Sequence, residues 1–108
     1  MVFKIRERTD IIPAEMEVCF GSFYMILSNK YAILPITSVW KFPKPITNKE
    51  KQTLTHITYT DYIQTSNLNY SFYLLEEHFE VIPGIWELQL FYKNELLYSR
   101  KFNLKLVQ

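Results

Sequence analysis

The sequence predicts an all-β fold, an antiparallel β-sandwich of about seven strands, with residues 1–108 forming a single domain. Two observations carry this. Eight Phe and eight Tyr dominate an aromatic content of 17%, a composition that favours strands. Apolar residues also alternate with polar ones in segment after segment, while no longer stretch carries a helical period. A chain of this length buries roughly two-thirds of its unfolded surface in one core.

The elements follow in order. Residues 2–9 set Phe3 and Ile5 against Lys4 and Arg6, as a half-buried strand does, and the charges suit a sheet edge. Residues 17–28 place Val18 and Phe20 on one parity but Phe23, Met25 and Leu27 on the other. The phase change falls at Gly21 and predicts a bulge there. Residues 32–42 align Leu34, Ile36, Trp40 and Phe42 on one face. Residues 43–52, rich in proline and lysine, read as a long exposed loop. Strands follow at 53–63 and 70–75, separated by a turn at Ser66-Asn67. Residues 76–80 have room for one helical turn before Pro83-Gly84.

The last hairpin, residues 84–107, can be given a register. Trp86, Leu88 and Leu90 share a parity, as do Leu96, Tyr98, Phe102, Leu104 and Leu106. Pairing even with even demands an odd loop. The loop Tyr92-Lys93-Asn94 meets this condition, with Asn94 at the left-handed position. The pairs are then Leu90 with Leu96, Leu88 with Tyr98, Trp86 with Arg100, and Gly84 with Phe102. In that register Arg100 stacks on Trp86 and Phe102 covers Gly84.

Ile12-Pro13-Ala14, Phe20-Gly21 five residues later, and Val81-Ile82-Pro83-Gly84-Ile85-Trp86 together resemble a family of small bacterial domains of unknown function. The resemblance implies an immunoglobulin-like sandwich. It implies no activity and no catalytic residue. Cys19 is the only cysteine, so the disulfide of antibody domains is impossible here.

Composition narrows the chemistry further. A formal net charge of +1 gives no whole-chain field toward nucleic acid or an anionic membrane. The N-terminus lacks the apolar run of a signal peptide, and no stretch approaches the ~20 apolar residues of a membrane helix; the default expectation is cytoplasmic. Neither His56 nor His78 is placed by the sequence beside Cys19 or a serine, as a nucleophile would require. Glu76, Glu77, His78 and Glu80 lack the spacing of a calcium or zinc loop. Two isolated glycines supply no phosphate loop. Lys41, Lys44, Lys49 and Lys51 beside Trp40 and Phe42 have the ingredients of a single-stranded nucleic-acid site, but solubility and core packing explain them.

The sequence therefore points to a non-enzymatic binding or protein-interaction domain with no catalytic residue, no metal and no cofactor. Its expected partner is a protein, with neither nucleic acid nor a membrane involved and with a homodimer as one form of the association. The expected surface is a strand edge or the tyrosine-rich stretch from 53 to 73, through Tyr59, Tyr62, Tyr70 and Tyr73, since exposed tyrosines are enriched at interfaces. The alternatives are a small hydrolase or metal-dependent enzyme whose site assembles only in three dimensions, and a self-associating structural subunit.

Overall fold

Period-two alternation is realised as two packed sheets. The computed structural model describes residues 2–5 and 11–106, and in them eight strands: β1 (Val2–Ile5), β2 (Ile11–Pro13), β3 (Cys19–Leu27), β4 (Ile33–Thr47), β5 (Thr53–Gln64), β6 (Asn69–Leu74), β7 (Gly84–Tyr92) and β8 (Glu95–Lys105). A three-stranded sheet has the order β1-β3-β6, and a five-stranded sheet the order β2-β8-β7-β4-β5. Strands β1 and β2 are two pieces of the first strand position, one in each sheet, so eight segments fill seven positions. β1 lies at a sheet edge, as its charges suggest; residues 6–9 of the expected first strand lie outside the described residues. The pairing is antiparallel except at β2, which runs parallel to β8.

Between the sheets lies an aromatic core. Phe20 from β3 meets Trp40 at 5.4 Å, Trp86 at 5.5 Å and Phe102 at 5.3 Å between ring centroids, all edge to face. Trp40, Trp86, Leu88 and Leu90 are fully buried. The Trp86 indole N–H donates to the Ile82 carbonyl at 2.9 Å, which removes the penalty of burying a polar tip.

Five sequence expectations need correction. β3 has no bulge at Gly21: Phe20, Ser22, Tyr24 and Ile26 point inward without interruption, and the ladder to β6 is continuous. Phe23, Met25 and Leu27 therefore face outward. Gly21 is required by close approach, since a Cβ there would lie 2.0 Å from the Ser71 carbonyl oxygen and 2.3 Å from the Phe72 ring. The stretch 43–47 is not loop but the end of β4, displaced by an irregularity between Lys41 and Ile46 that accommodates Pro43 and Pro45, where missing N–H groups do least harm.

The hairpin register is also shifted by two residues. Its turn is Lys93-Asn94, with φ of 48° and 65°, the paired left-handed geometry of a two-residue loop. A bulge at Leu97 then restores the parity, so Leu88 faces Arg100, Trp86 faces Phe102 and Gly84 faces Leu104. Asn94 is left-handed as expected, and Trp86 and Arg100 share a face. The Arg100 guanidinium, however, lies over Phe102 at 4.7 Å, and Gly84 is covered by Pro43.

Candidate functional site

The outward parity of β3 and β6 sets the chemistry of the three-stranded sheet's outer face. Directly paired residues share a face, so Phe23 and Tyr70 are neighbours, as are Gly21 and Phe72. Phe23 and Phe72 meet at 4.9 Å, Tyr70 and Phe72 at 5.5 Å, and Phe23 and Tyr70 at 6.3 Å. Met25 and Leu27 continue the face along β3, and Leu74 along β6. Tyr70 is 66% exposed and Leu74 43%, and among the described residues no layer lies over them. A bulge at Gly21, as the alternation predicts, would turn Phe23, Met25 and Leu27 to the same side as Phe20 and so conceals this face. The signal was present: Tyr24 and Ile26 continue the parity of Phe20.

The four expected tyrosines do not form one surface. Tyr62, 76% exposed, lies on the outer face of the five-stranded sheet, opposite Pro35. Tyr59 pairs with Ser38 and faces inward from β5. Tyr70 belongs to the aromatic face just described. Tyr73 is 7% exposed, stacked among Phe20, Trp40 and Trp86, and its hydroxyl donates to Glu80. It is thus a core residue that reaches no partner. Glu80 also accepts from the Glu76 and Glu77 backbone N–H groups, so this carboxylate organises the 3-10 turn His78–Glu80.

Tyr59 and Tyr70 do meet across a groove of about 210 Å³ between the sheets, lined also by Ser38, Trp40, Asp61, Ser71 and Phe72. Its wall is β6, the edge strand of the smaller sheet. Its floor is β4 and the inner side of β5. Ser71 donates to Ser38 at 3.2 Å, which seats β6 above β4 and leaves the inner face of β5 uncovered at Tyr59 and Asp61.

The catalytic alternatives meet geometric obstacles. Cys19 has the outward parity of β3, whereas His56, paired with Lys41, points away from the opposite sheet. The two lie on opposite outer faces of the sandwich. Burial pushes the Cys19 thiol up, away from a reactive thiolate. Glu77 is bridged to Lys49 at 2.9 Å, and among the described residues no three His, Cys, Asp or Glu side chains gather as a metal site requires. The rings of the basic loop are turned inward: Trp40 is fully buried, and Phe42 packs on Trp86 at 5.1 Å. Among the described residues no helix is long and apolar enough to cross a membrane.

A family model for a domain of unknown function, DUF3859, matches residues 1–104. The chain belongs to the DUF3859 family. Among solved structures, the DUF3859 chain is similar to an immunoglobulin-like protein from Pseudomonas aeruginosa, with a TM-score of 0.80 and 21% identity, covering 92% of this chain and 80% of that one. No curated protein matches it. The resemblance read from the two ends of the chain is borne out in family type and in fold: an immunoglobulin-like domain of unknown function. In place of the antibody disulfide, which a single cysteine precludes, this DUF3859 domain joins its sheets through Phe20, Trp40 and Trp86.

Buried phenols make the DUF3859 fold sensitive to alkali. Burial, with the Asp61 carboxylate adding to it, pushes Tyr24 from 10.0 up to about 12. Burial and the hydrogen bond to Glu80 push Tyr73 up as well. Folded tyrosines then keep protons that unfolded ones have lost. Stability is full below pH 10 and falls above it, by about 1.4 kcal/mol per pH unit for each tyrosine. Urea midpoints measured from pH 9 to 12 should decline accordingly, and Tyr24→Phe should flatten the decline; an unchanged slope would contradict it.

Proposed function

We propose that this domain is a non-enzymatic protein-interaction module that presents the outer face of its three-stranded sheet to a protein partner. The observation that carries the reading is the mutual packing of Phe23, Tyr70 and Phe72 on a sheet face over which no layer lies among the described residues. Contiguous exposed apolar surface is uncommon on monomers and marks interaction sites. Aromatic residues give large contact area at low entropic cost.

The test is co-purification of the tagged protein from its native lysate, with the partner identified and then reconstituted from purified components. Tyr70→Ser should weaken the reconstituted complex about tenfold or more while leaving the unfolding free energy from urea titration within about 0.5 kcal/mol of the parent. Tyr62→Ser, on the other sheet, should leave binding unchanged. Equal losses in both variants, or none in either, would contradict the reading.

A further inference from the structure

The free edge of β6 has a definite hydrogen-bonding pattern. The Leu75 N–H donates to Val18 at 3.0 Å, and its carbonyl accepts from Glu17 at 2.8 Å, so Leu75 turns its backbone toward β3. Backbone direction alternates along an antiparallel strand. Ser71 and Tyr73 therefore also turn toward β3, and Tyr70, Phe72 and Leu74 turn their N–H and C=O groups to the open side. That side is the groove, where the inner face of β5 extends one strand position beyond β6. Strands are spaced about 4.8 Å apart in both sheets, so a strand added to β6 would lie directly over Tyr59 and Asp61.

The groove has room for a single strand. A second sandwich pairing through β6 in the same plane would have to place its own β4 and β5 where this chain's β4 and β5 already lie. The occupant must therefore be an isolated extended segment. Its charge is set by the floor. Asp61 points into the groove, and among the described residues no lysine or arginine pairs with it. Burial and then the nearby Glu80 and Glu76 carboxylates push the Tyr59 hydroxyl up, so the adjoining wall is acidic as well.

We propose that the groove between β6 and the inner face of β5 receives one extended strand of another protein, hydrogen-bonded to Tyr70, Phe72 and Leu74 and carrying a lysine or arginine that faces Asp61. This deepens the interaction reading above by naming the mode, strand addition at a sheet edge, and the partner's chemistry. It rests on that reading, because β6 carries both surfaces.

The experiment uses the full chain, labelled with nitrogen-15, and two capped peptides of about six residues, the usual strand length: Thr-Lys-Val-Lys-Val-Thr and Thr-Glu-Val-Glu-Val-Thr. Saturation with the lysine peptide should slow amide exchange at Tyr70, Phe72 and Leu74 by about tenfold or more, with Ser71 and Tyr73 unaltered. The glutamate peptide should bind at least about tenfold more weakly. Asp61→Asn should abolish that difference while the urea midpoint stays unchanged.

Equal binding of both peptides, no protection at millimolar lysine peptide, or protection along β5 instead of β6 would overturn the proposal. So would sedimentation showing a dimer that the lysine peptide disperses, because the groove would then hold a second copy. A native complex sensitive to Tyr70→Ser but not to Asp61→Asn would overturn the strand and leave the interaction reading standing. Insensitivity to both would remove both.

Discussion

Trp86→Ala is expected to destabilise the fold by about 3–5 kcal/mol, a large share of the roughly 5–15 kcal/mol that holds such a domain together. Trp86 is fully buried, and its ring meets Tyr73 at 5.0 Å, Phe42 at 5.1 Å and Phe20 at 5.5 Å. Truncation opens a cavity bounded by both sheets, and the surrounding aromatic rings are too rigid to collapse into it. Trp86→Phe separates the two contributions. It retains most of the packing but leaves the Ile82 carbonyl without its donor, a loss of about 1–3 kcal/mol. Urea unfolding followed by far-UV circular dichroism checks both. An alanine variant within about 1 kcal/mol of the parent would show that the rings repack.

Gly21→Ala is expected to cost about 2–3 kcal/mol, although it adds one methyl group on an outward-facing position. Its Cβ would stand 2.0 Å from the Ser71 carbonyl oxygen and 2.7 Å from the Phe72 Cα, both backbone atoms of the neighbouring strand. Relief therefore requires β3 and β6 to separate. Adding Phe72→Ala removes the ring atom at 2.3 Å but leaves the backbone clash, so the double variant should not recover. Recovery would show that the flexible ring alone opposes the methyl group.

Much of the fold is written in local pattern. β4, β5 and β6 begin near the expected residues, and the turn at Ser66 carries the positive φ of 60° that its turn chemistry suggests. In β3 both faces are apolar, so its pattern departs from simple alternation. Alternation assigns phase only when one face is polar, and with Phe20 inside and Phe23 outside, Gly21 looked like a discontinuity. The hairpin register differs from the expected one for a related reason. Parity fixes which residues share a face, but a two-residue turn plus one bulge satisfies it as well as a three-residue loop. The extra residue at Leu97 leaves no mark in composition.

The four tyrosines show what sequence carries about the surfaces of this domain and what it does not. Tyrosine enrichment between residues 53 and 73 points to β5 and β6, but sequence alone does not divide Tyr59, Tyr62, Tyr70 and Tyr73 among the different surfaces on which they lie. That division depends on which sheet each strand joins. β5 and β6 are consecutive in the chain but belong to opposite sheets, and no periodicity within either strand records this.

The same separation bears on the order of assembly. The five-stranded sheet contains two hairpins closed by short turns, β4 with β5 and β7 with β8. Among the described residues the three-stranded sheet contains none: β2 intervenes between β1 and β3, and β4 and β5 intervene between β3 and β6. Contacts distant in sequence carry the larger loop-closure entropy. The large sheet is therefore expected to form first, with the small one condensing on it and the aromatic outer face completed late. Interactions that form after the transition state govern unfolding more than folding. The loss in Gly21→Ala should accordingly appear as faster unfolding at a nearly unchanged folding rate in stopped-flow urea jumps, the signature expected if the sheet proposed to bind partners is also the one that opens first.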